Sequence, residues 1–275
     1  MTDISFPPQV LPNRAVIRIT GEGALAFLHN LLTCDVEGLQ PGQAAYGALL
    51  TPQGKILHDV FVMATTDGVL IDCTDDQTED LLKKLAMYRL RAKLAISHDT
   101  ALEVAAASTR LPDGYVDPRL VAMGWRAFRP KGLTPNGEGY DAARLQIGLA
   151  DSSDIGSNNL FPHEANFDQM NGVSFSKGCY VGQEVVSRMQ HRATARSRVL
   201  PVTCDVAAPV KGSTIHSGET LIGEILSSSG ERALALLRLD RLADAKAPLL
   251  SGTVKVNVQK PDWVKYVVTI PETAL

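Results

Sequence analysis

Apolar residues recur in short, regularly spaced runs along the first part of the chain, and their spacing predicts alternating strands and helices. A strand is expected at Ala15 to Ile19, and a helix from Ala24 to Leu32 follows it, with leucines at helical spacing. Two strand-like runs, Ala44 to Leu50 and Ile56 to Met63, flank Thr51-Pro52-Gln53-Gly54. This intervening segment is typical of a hairpin turn, so the two runs should pair.

The pattern changes twice further along the chain. Helical spacing recurs between Gln77 and Tyr88 and again between Tyr140 and Leu149, whereas residues 108–138 are rich in proline and glycine and predict loops with short strands. From Val199 onward, short β-type runs are separated by turns that contain glycine. This pattern of short strands and glycine turns predicts a small all-β barrel at the C-terminus.

The length of 275 residues suits two or three domains. We expect an α+β protein in which residues 1–48 and 140–197 form a discontinuous first domain and residues 49–139 form a second. Residues 198–275 form the C-terminal β-barrel domain. Apolar residues make up 45% of the chain, which is enough to bury a core without disulfides.

Charge and cysteine usage narrow the class of protein. The net charge of −3 argues against a nucleic-acid partner, and no apolar run approaches the length needed to cross a membrane. The N-terminus has no signal-peptide pattern. The four cysteines are far apart and form no CxxC pair, so neither a disulfide framework nor a metal site is predicted. Free thiols predict a cytoplasmic protein.

The candidate reactive group is Cys179, in the segment Ser174-Phe-Ser-Lys-Gly-Cys-Tyr-Val-Gly-Gln-Glu184. Gly178 and Gly182 permit a tight backbone path that leaves the thiol accessible. The neighbouring Lys177 and a helix that begins near Gly182 would both favour the thiolate form. The alternative is that Cys179 is a small buried core residue, as free cysteines often are.

Arginines crowd into the segment that follows this loop. Arg188, Arg192, Arg196 and Arg198 occur together with His191, and no acidic residue lies between Val185 and Cys204. Guanidinium groups match carboxylates, so the segment predicts an anionic partner, with a solvated surface stretch as the alternative.

Two acidic loops and one glycine motif complete the candidates. Glu164 follows a proline in Phe161-Pro-His-Glu-Ala-Asn166, where its carboxylate could accept hydrogen bonds from a heterocycle. Asp117-Pro118-Arg119 predicts a rigid turn with an internal ion pair.

Gly21-Glu-Gly-Ala-Leu-Ala26 fits the dinucleotide fingerprint, but a turn-rich segment replaces the parallel strand that should follow its helix. A glycine-rich turn explains it sufficiently.

Lys177-Gly-Cys-Tyr-Val-Gly-Gln-Glu184 resembles the Lys-Gly-Cys-Tyr-x-Gly-Gln-Glu signature of the YgfZ family, relatives of the glycine-cleavage T-protein (aminomethyltransferase). Further agreement in order along the chain includes Leu50-Thr-Pro-Gln-Gly54, Asp117-Pro-Arg119 and Phe161-Pro-His-Glu-Ala-Asn166. The resemblance implies a three-domain aminomethyltransferase-like ring. It also implies binding of tetrahydrofolate or a derivative, and a role in assembling or repairing iron–sulfur client proteins.

The same resemblance implies roles for individual residues. Cys179 and Lys177 would be the reactive cysteine and its activator, and Glu164 would take the place of the T-protein's pterin-binding glutamate, with Asn166 where that segment has glycine. The other residues expected to contact folate are Tyr180, Gln183, Glu184, Arg188 and Arg198, the arginines meeting its glutamate tail. Glu164 and Cys179 should face one cavity.

Three other functions stay open at this point. The T-protein segment that carries its catalytic aspartate has no clear counterpart around Ile71 to Asp80, so folate-dependent one-carbon transfer is an alternative rather than the main prediction. A cysteine hydrolase would need His163 or His191 within hydrogen-bond reach of Cys179. A folate-binding scaffold without chemistry is the last alternative.

Overall fold

The computed structural model describes residues 4–192 and 195–274 of the chain. The chain divides into two compact units. Unit 1 consists of Met1–Tyr140, Gly156–Pro162 and Met170–Ser187, and unit 2 consists of Asp141–Ile155, His163–Gln169 and Arg188–Leu275.

Unit 1 is built on two antiparallel sheets. Its strands are β1 (Gln9–Val10), β2 (Arg14–Thr20), β3 (Ala44–Leu50), β4 (Ile56–Ala64), β5 (Gly68–Thr74), β6 (Ala95–His98), β7 (Leu102–Ala107), β8 (Tyr115–Val116) and β9 (Trp125–Pro130), and two of its helices are α1 (Ala24–His29) and α2 (Thr78–Arg89). The five-stranded sheet has the order β3-β4-β5-β2-β6, and the four-stranded sheet has the order β1-β7-β9-β8.

The predicted strands and helices of the first hundred residues are confirmed, except that α1 ends at His29 and not at Leu32. β3 and β4 pair antiparallel, with Ala44 opposite Met63 and Leu50 opposite Ile56, so the Thr51-Pro52-Gln53-Gly54 segment is the predicted hairpin turn. β2 lies between β5 and β6 and is antiparallel to both. A dinucleotide-binding fold needs a parallel neighbour at this place, so the glycine motif that follows β2 is a turn, as interpreted.

Apolar side chains of α1 and α2 cover one face of the five-stranded sheet. Leu28 of α1 and Leu81 and Leu85 of α2 join the cluster formed by Ile17, Ile19 and their strand neighbours, and each of these five is at most 1% exposed. Burying a leucine or isoleucine side chain contributes about 1.5–3 kcal/mol relative to leaving it in water. The leucine spacing seen in the sequence is therefore the packing face of each helix.

A buried carboxylate connects the two sheets of unit 1. Asp72 on β5 accepts a 2.5 Å hydrogen bond from Arg14 Nε on β2 and another of 2.5 Å from Arg126 Nη2 on β9. Asp72 is fully buried and Arg126 is 1% exposed. The Arg126 guanidinium also lies 4.0 Å from the centre of the Phe61 ring on β4. The two sheets thus share one desolvated carboxylate and the cations that neutralise it.

The ion pair predicted inside the Asp117-Pro118-Arg119 turn is confirmed. Arg119 donates from Nε and Nη2 to Asp117 at 3.0 and 2.7 Å, and its backbone N–H donates to Asp117 Oδ1 at 3.0 Å. Arg119 and Arg126 both donate to the Tyr140 hydroxyl at 3.0 Å. The turn therefore extends the buried network instead of lying in solvent.

Unit 2 contains the predicted C-terminal barrel. Its strands are β10 (Ser197–Cys204), β11 (Thr214–Ser217), β12 (Thr220–Ser229), β13 (Arg232–Arg238), β14 (Leu249–Ser251) and β15 (Val254–Val258), and they close in the order β10-β13-β12-β11-β14-β15. The remaining helices are α3 (Tyr140–Ile147), α4 (Ser152–Ile155), α5 (Gln183–Arg192) and α6 (Leu239–Ala243). The α+β class with a C-terminal β-barrel is confirmed. The division of the preceding residues into two domains stays a prediction. The predicted domain boundary at residue 48 falls inside β3.

Replacing Asp72 by Asn should destabilise the protein strongly. The substitution keeps the shape of the side chain but leaves Arg14 and Arg126 without the charge that neutralises them. Breaking a buried pair in this way costs about 3–5 kcal/mol of unfolding free energy. Urea denaturation measures the change, and Glu22→Gln is the control, because Glu22 is exposed and its loss should change the stability by less than about 0.5 kcal/mol. A loss below about 1 kcal/mol in Asp72→Asn would contradict the bridging role.

Candidate functional site

The segment around Cys179, residues 172–182, is fixed to the rest of unit 1 at three places. The first is Thr33, whose hydroxyl donates a hydrogen bond to Gly172 O at 2.5 Å. The Thr33 carbonyl accepts a second hydrogen bond, from Ser174 N at 2.9 Å. Thr33 is fully buried, so these bonds are shielded from water. They fix the backbone where the segment begins.

Lys177 provides the second attachment. Its ammonium donates to the carbonyls of His29, Leu32 and Cys34, the last two at 2.7 and 2.9 Å. His29 is the last residue of α1, where carbonyls lack partners inside the helix and the helix dipole favours a cation. Desolvation lowers the pKa of Lys177, yet all three N–H groups are used. The ammonium thus fastens the loop to the end of α1, and its role as activator of Cys179 stays a prediction.

Close backbone contact provides the third attachment. A Cβ on Gly182 would lie 2.7 Å from Thr51 O, and a Cβ on Gly54 would lie 2.8 Å from the Val185 Cβ. Both glycines also have positive φ, near 81°. The β3–β4 hairpin turn therefore packs directly on the residues that lead into α5. Two sequence motifs separated by about 130 positions are parts of one structure.

Between these attachments, Cys179 is exposed, whereas Cys34, Cys73 and Cys204 are buried. The interpretation of Cys179 as a core residue is therefore excluded. Burial raises the pKa of the Cys34 and Cys73 thiols to about 12 and also raises that of Cys204. The thiolate is the form of cysteine that acts as a nucleophile or metal ligand, so burial disfavours both roles for these three thiols. The accessible sulfur is that of Cys179, in the predicted loop.

Unit 1 also contains a cleft of about 460 Å³ close to the start of this loop. Its lining combines apolar residues with several polar ones: Cys34, Asp35, Leu39, Ala44, Ala45, Tyr46, Pro118, Asn171, Val173 and Ser174. This volume lies within the range of small-molecule sites, which are mostly apolar with a few polar groups that orient the ligand.

Glu164 lies in unit 2, in a turn that is bonded to β10. The Glu164 carbonyl accepts a hydrogen bond from Val199 N at 2.8 Å, and Asn166 Nδ2 donates to Val199 O at 2.7 Å. Asn166 has φ 61°, a conformation that glycine and asparagine adopt more readily than other residues. This explains why asparagine can stand where the T-protein segment has glycine. The Glu164 side chain is half-buried.

Arg198, predicted to meet the folate tail, forms a buried ion pair within unit 2. Its Nη1 and Nη2 donate to the two carboxylate oxygens of Asp168 at 2.5 and 3.1 Å. Nη1 also donates to His163 O, and the guanidinium lies 4.3 Å from the centre of the Tyr266 ring. Arg198 therefore supports the turn that contains Glu164. The sequence did not reveal this role, because Asp168 and Tyr266 are far from Arg198 along the chain.

The other predicted folate contacts fall into two classes by exposure. Tyr180 is 7% exposed, and burial raises its pKa to about 12. Its ring lies 5.3 Å from the Lys177 ammonium, so it packs beneath the loop. Glu184 and Arg188 are exposed on α5, and Gln183 is half-buried at the start of that helix. Their roles toward folate stay predictions, as does the shared cavity of Glu164 and Cys179.

The histidines bear on the hydrolase alternative. His163 Nε2 is 3.0 Å from Gln190 Oε1, and burial lowers the pKa of the imidazole, so its ring already has a partner in its own unit. His191 is exposed at the end of α5. Within residues 4–192 and 195–274, no three His, Cys, Asp or Glu side chains gather into a group that could hold a metal ion. No helix in that part of the chain is long and apolar enough to cross a membrane.

Comparison with protein families gives matches at both ends of the chain. Residues 13–104 match the GCVT N-terminal domain, and residues 196–266 match the CAF17 C-terminal beta-barrel domain. The second match coincides with the barrel strands β10 to β15, and the first covers the strands of the five-stranded sheet.

Individual proteins extend the likeness to nearly the whole chain. The mitochondrial iron–sulfur cluster assembly factor IBA57 of Mus musculus is 31% identical over 92% of this chain and 84% of its own length. The Homo sapiens protein of the same name is 30% identical with the same coverage. The crystal structure of glycine cleavage system aminomethyltransferase T from Bartonella henselae superposes with a TM-score of 0.76, over 96% of this chain and 88% of that one, at 15% identity. That level of identity establishes the fold alone, and it confirms the aminomethyltransferase-like fold.

The comparisons also correct one prediction. Reduced cysteines and the absence of a signal-peptide pattern predicted a cytoplasmic protein, and this prediction is wrong, because the mouse and human relatives and a Pyricularia oryzae homologue are mitochondrial proteins. Free thiols indicate a reducing compartment but do not say which one.

Brief alkylation near neutral pH should label Cys179 at least one hundred times faster than the other cysteines. A thiol with a pKa of about 12, as in Cys34, is ionised to about one part in 100,000 at pH 7, and burial blocks the reagent as well. Peptide mapping after limited reaction measures the ratio. Cys34→Ser and Cys204→Ser should leave the rate at Cys179 unchanged, and Lys177→Ala should slow it. Labelling spread evenly over the four cysteines would contradict the prediction.

Proposed function

The chain belongs to the IBA57 family of iron–sulfur cluster assembly factors, and on that premise we propose that it assists iron–sulfur protein assembly through Cys179 and binds a reduced folate. Within this family we assign it to the YgfZ type, on the strength of its Lys-Gly-Cys-Tyr-Val-Gly-Gln-Glu segment. Its partners are iron–sulfur client proteins and tetrahydrofolate or a derivative.

The observation that carries the proposal is the exposure of Cys179 in a fixed loop. The three attachments at Thr33, Lys177 and Gly182 hold the backbone on both sides of the sulfur. A thiol presented by fixed backbone loses little conformational freedom when it meets a partner. The other three sulfurs cannot substitute, because they are buried.

The chemistry of iron–sulfur clusters suits such a group. Cysteine thiolates are the usual ligands of the iron atoms in these clusters. Cys179 offers one accessible sulfur, so it acts as a thiolate ligand to iron in a cluster held largely by another protein. The cluster is cargo in this proposal and not a resident group of the chain.

A folate needs a partly apolar site with polar groups that orient its heterocycle. The cleft of about 460 Å³ in unit 1 offers apolar side chains together with Asp35, Asn171 and Ser174, a combination that suits a heterocycle carrying several N–H groups. In unit 2, Glu164 has an acceptor carboxylate on a turn stiffened by Asn166 and Arg198. Each of these two sets of residues, taken by itself, fits part of a folate. When bound, a reduced folate would supply one-carbon chemistry at its ring nitrogens, and the Glu164 carboxylate would accept hydrogen bonds from its heterocycle.

Complementation tests the role of Cys179. In cells that lack the native protein, the wild-type chain should restore the activity of an iron–sulfur dehydratase, and Cys179→Ser should leave it at the level of cells without the gene. The conservative change removes a strong thiolate ligand and nucleophile but keeps the size of the side chain. Cys204→Ser, made at a buried cysteine, should restore activity nearly fully. Full restoration by Cys179→Ser at equal protein level would overturn the proposal.

Titration with tetrahydrofolate tests the second part independently. Glu164→Gln should weaken binding about tenfold or more, because a hydrogen bond to a charged acceptor contributes about 1.5–3 kcal/mol. Isothermal calorimetry of the full chain gives the dissociation constants, and Glu219→Gln, at an exposed position of the barrel, is the control that should bind like the wild type. Equal affinity in Glu164→Gln would remove this residue from the site. Failure of the wild type to bind would refute the folate proposal while leaving the role of Cys179 intact.

A further inference from the structure

The end of α2 carries a concentration of positive charge that the proposed function does not use. Five Lys and Arg residues lie among the seventeen residues from Leu81 to Ser97, against 27 in all 275, and no Asp or Glu occurs in that segment. The whole chain has a net charge of −3. The local excess therefore produces a positive surface on an otherwise slightly acidic protein.

Two of these five charges are used within the chain and three face solvent. Lys84 Nζ lies 3.5 Å from Asp80 Oδ2, and Arg89 Nη1 donates to Leu94 O at 3.0 Å. Lys83, Arg91 and Lys93 are exposed, and no side chain in the described part of the protein pairs with them. These three cations remain available to an external anion.

Two large apolar side chains stand among these cations. Met87 is 62% exposed and Leu90 is 85% exposed. Lys83, Met87 and Leu90 follow one another at spacings of four and three, which places them along one side of α2 and its end. We call the surface formed by Lys83, Met87, Leu90, Arg91 and Lys93 the α2 tip.

The backbone at Leu90 is in a conformation that leucine rarely adopts. Its φ of 48° and ψ of −109°, with a hydrogen bond from Ala92 N to Arg89 O at 2.9 Å, define a type II′ turn, whose first central position favours glycine. Strained, exposed residues of this kind concentrate at binding and switch regions. A glycine would relieve the strain, and because the Leu90 side chain is 85% exposed, packing within unit 1 does not account for a leucine at this position.

The turn that presents Leu90 is held from several sides. Leu94 N donates to Ala92 O at 2.9 Å, and the Arg89 guanidinium bonds the same short loop. On the inner side, Gly21 approaches so closely that a Cβ there would lie 2.6 Å from Lys93 O. The backbone that presents Leu90 is therefore fixed, which reduces the entropy lost when a partner covers this residue.

We propose that the α2 tip is a docking surface for an acidic, amphipathic segment of a partner protein. Carboxylates of that segment pair with Lys83, Arg91 and Lys93, and its apolar side chains cover Leu90 and Met87. Complementary charge guides the approach and fixes the register, while the two apolar side chains supply the dry contact at the centre. The proposal does not depend on Cys179 or on folate.

An anionic membrane would match the same charges but fits the apolar contact less well. Even one myristoyl chain gives only marginal membrane binding, and two side chains bury much less apolar surface than that chain. A protein segment can instead enclose a single protruding leucine on several sides. The observations thus favour a protein partner.

The test is an amide-resolved NMR titration of the full chain with a short helical peptide made only of Glu and Leu, with the leucines on one face. Shifts should be confined to residues around Met87 to Lys93, and the affinity should fall with added salt. A peptide with serine in place of leucine should bind about tenfold more weakly, and a Lys–Leu peptide should not bind. Absence of shifts at the α2 tip with the Glu–Leu peptide would overturn the proposal.

Variants separate a docking role from a structural one. The double variant Arg91→Glu, Lys93→Glu should weaken peptide binding at least tenfold, while the charge reversal Lys260→Glu, at an exposed position after β15, should not change it. Leu90→Gly should bind about tenfold more weakly and melt at the same or a higher temperature, because it relieves the strained turn. A lower melting temperature would assign Leu90 to packing within unit 1 and overturn the proposal.

Two further measurements address other occupants. The full chain is sedimented with vesicles of phosphatidylcholine and phosphatidylserine, and we expect it not to bind them through the α2 tip. Vesicle binding that is lost in the double variant Arg91→Glu, Lys93→Glu would assign the α2 tip to a membrane. In analytical ultracentrifugation we expect no self-association through Leu90. Self-association that is lost in Leu90→Gly would make a second copy of the chain the occupant. Either result would overturn the proposal.

Discussion

The carboxylate of Asp72 is the point on which the structure of unit 1 depends. It lies on β5 of one sheet and binds Arg14 in that sheet and Arg126 in the other, with the rings of Phe61 and Tyr140 around the second guanidinium. A buried charge with one partner missing is expensive, so these groups are stable only together. The pairing of the two sheets and the position of the Asp117 turn follow from that constraint.

The candidate site depends on close backbone contacts more than on side-chain chemistry. Gly54 and Gly182 leave room for the hairpin turn to meet the start of α5, and Lys177 satisfies carbonyls at the end of α1. These contacts leave the Cys179 sulfur in solvent while its neighbour Tyr180 packs inward. The reactivity proposed for Cys179 thus rests on how the loop is held as well as on its local sequence.

The relation between the sequence and the site differs from one residue to another. Cys179 could be identified because glycines flank it in a short motif. The contribution of Arg198 could not, because a buried Arg198–Asp168 pair and a solvent-facing arginine look alike in a sequence. The burial of Arg126 on β9 could not be predicted for the same reason, because it depends on Asp72, which is 54 residues away and neutralises the guanidinium.

The sequence by itself determined most strands and helices of the first hundred residues, the hairpin turn and the C-terminal barrel, because apolar periodicity and turn residues act over a few neighbouring positions. It also determined the family likeness through its short motifs. Only the tertiary structure decided which charges are buried, which carbonyls Lys177 satisfies, and that Leu90 at the end of α2 is presented to solvent. These depend on contacts between residues far apart in the chain, where desolvation and close packing, rather than local preference, set the free energy.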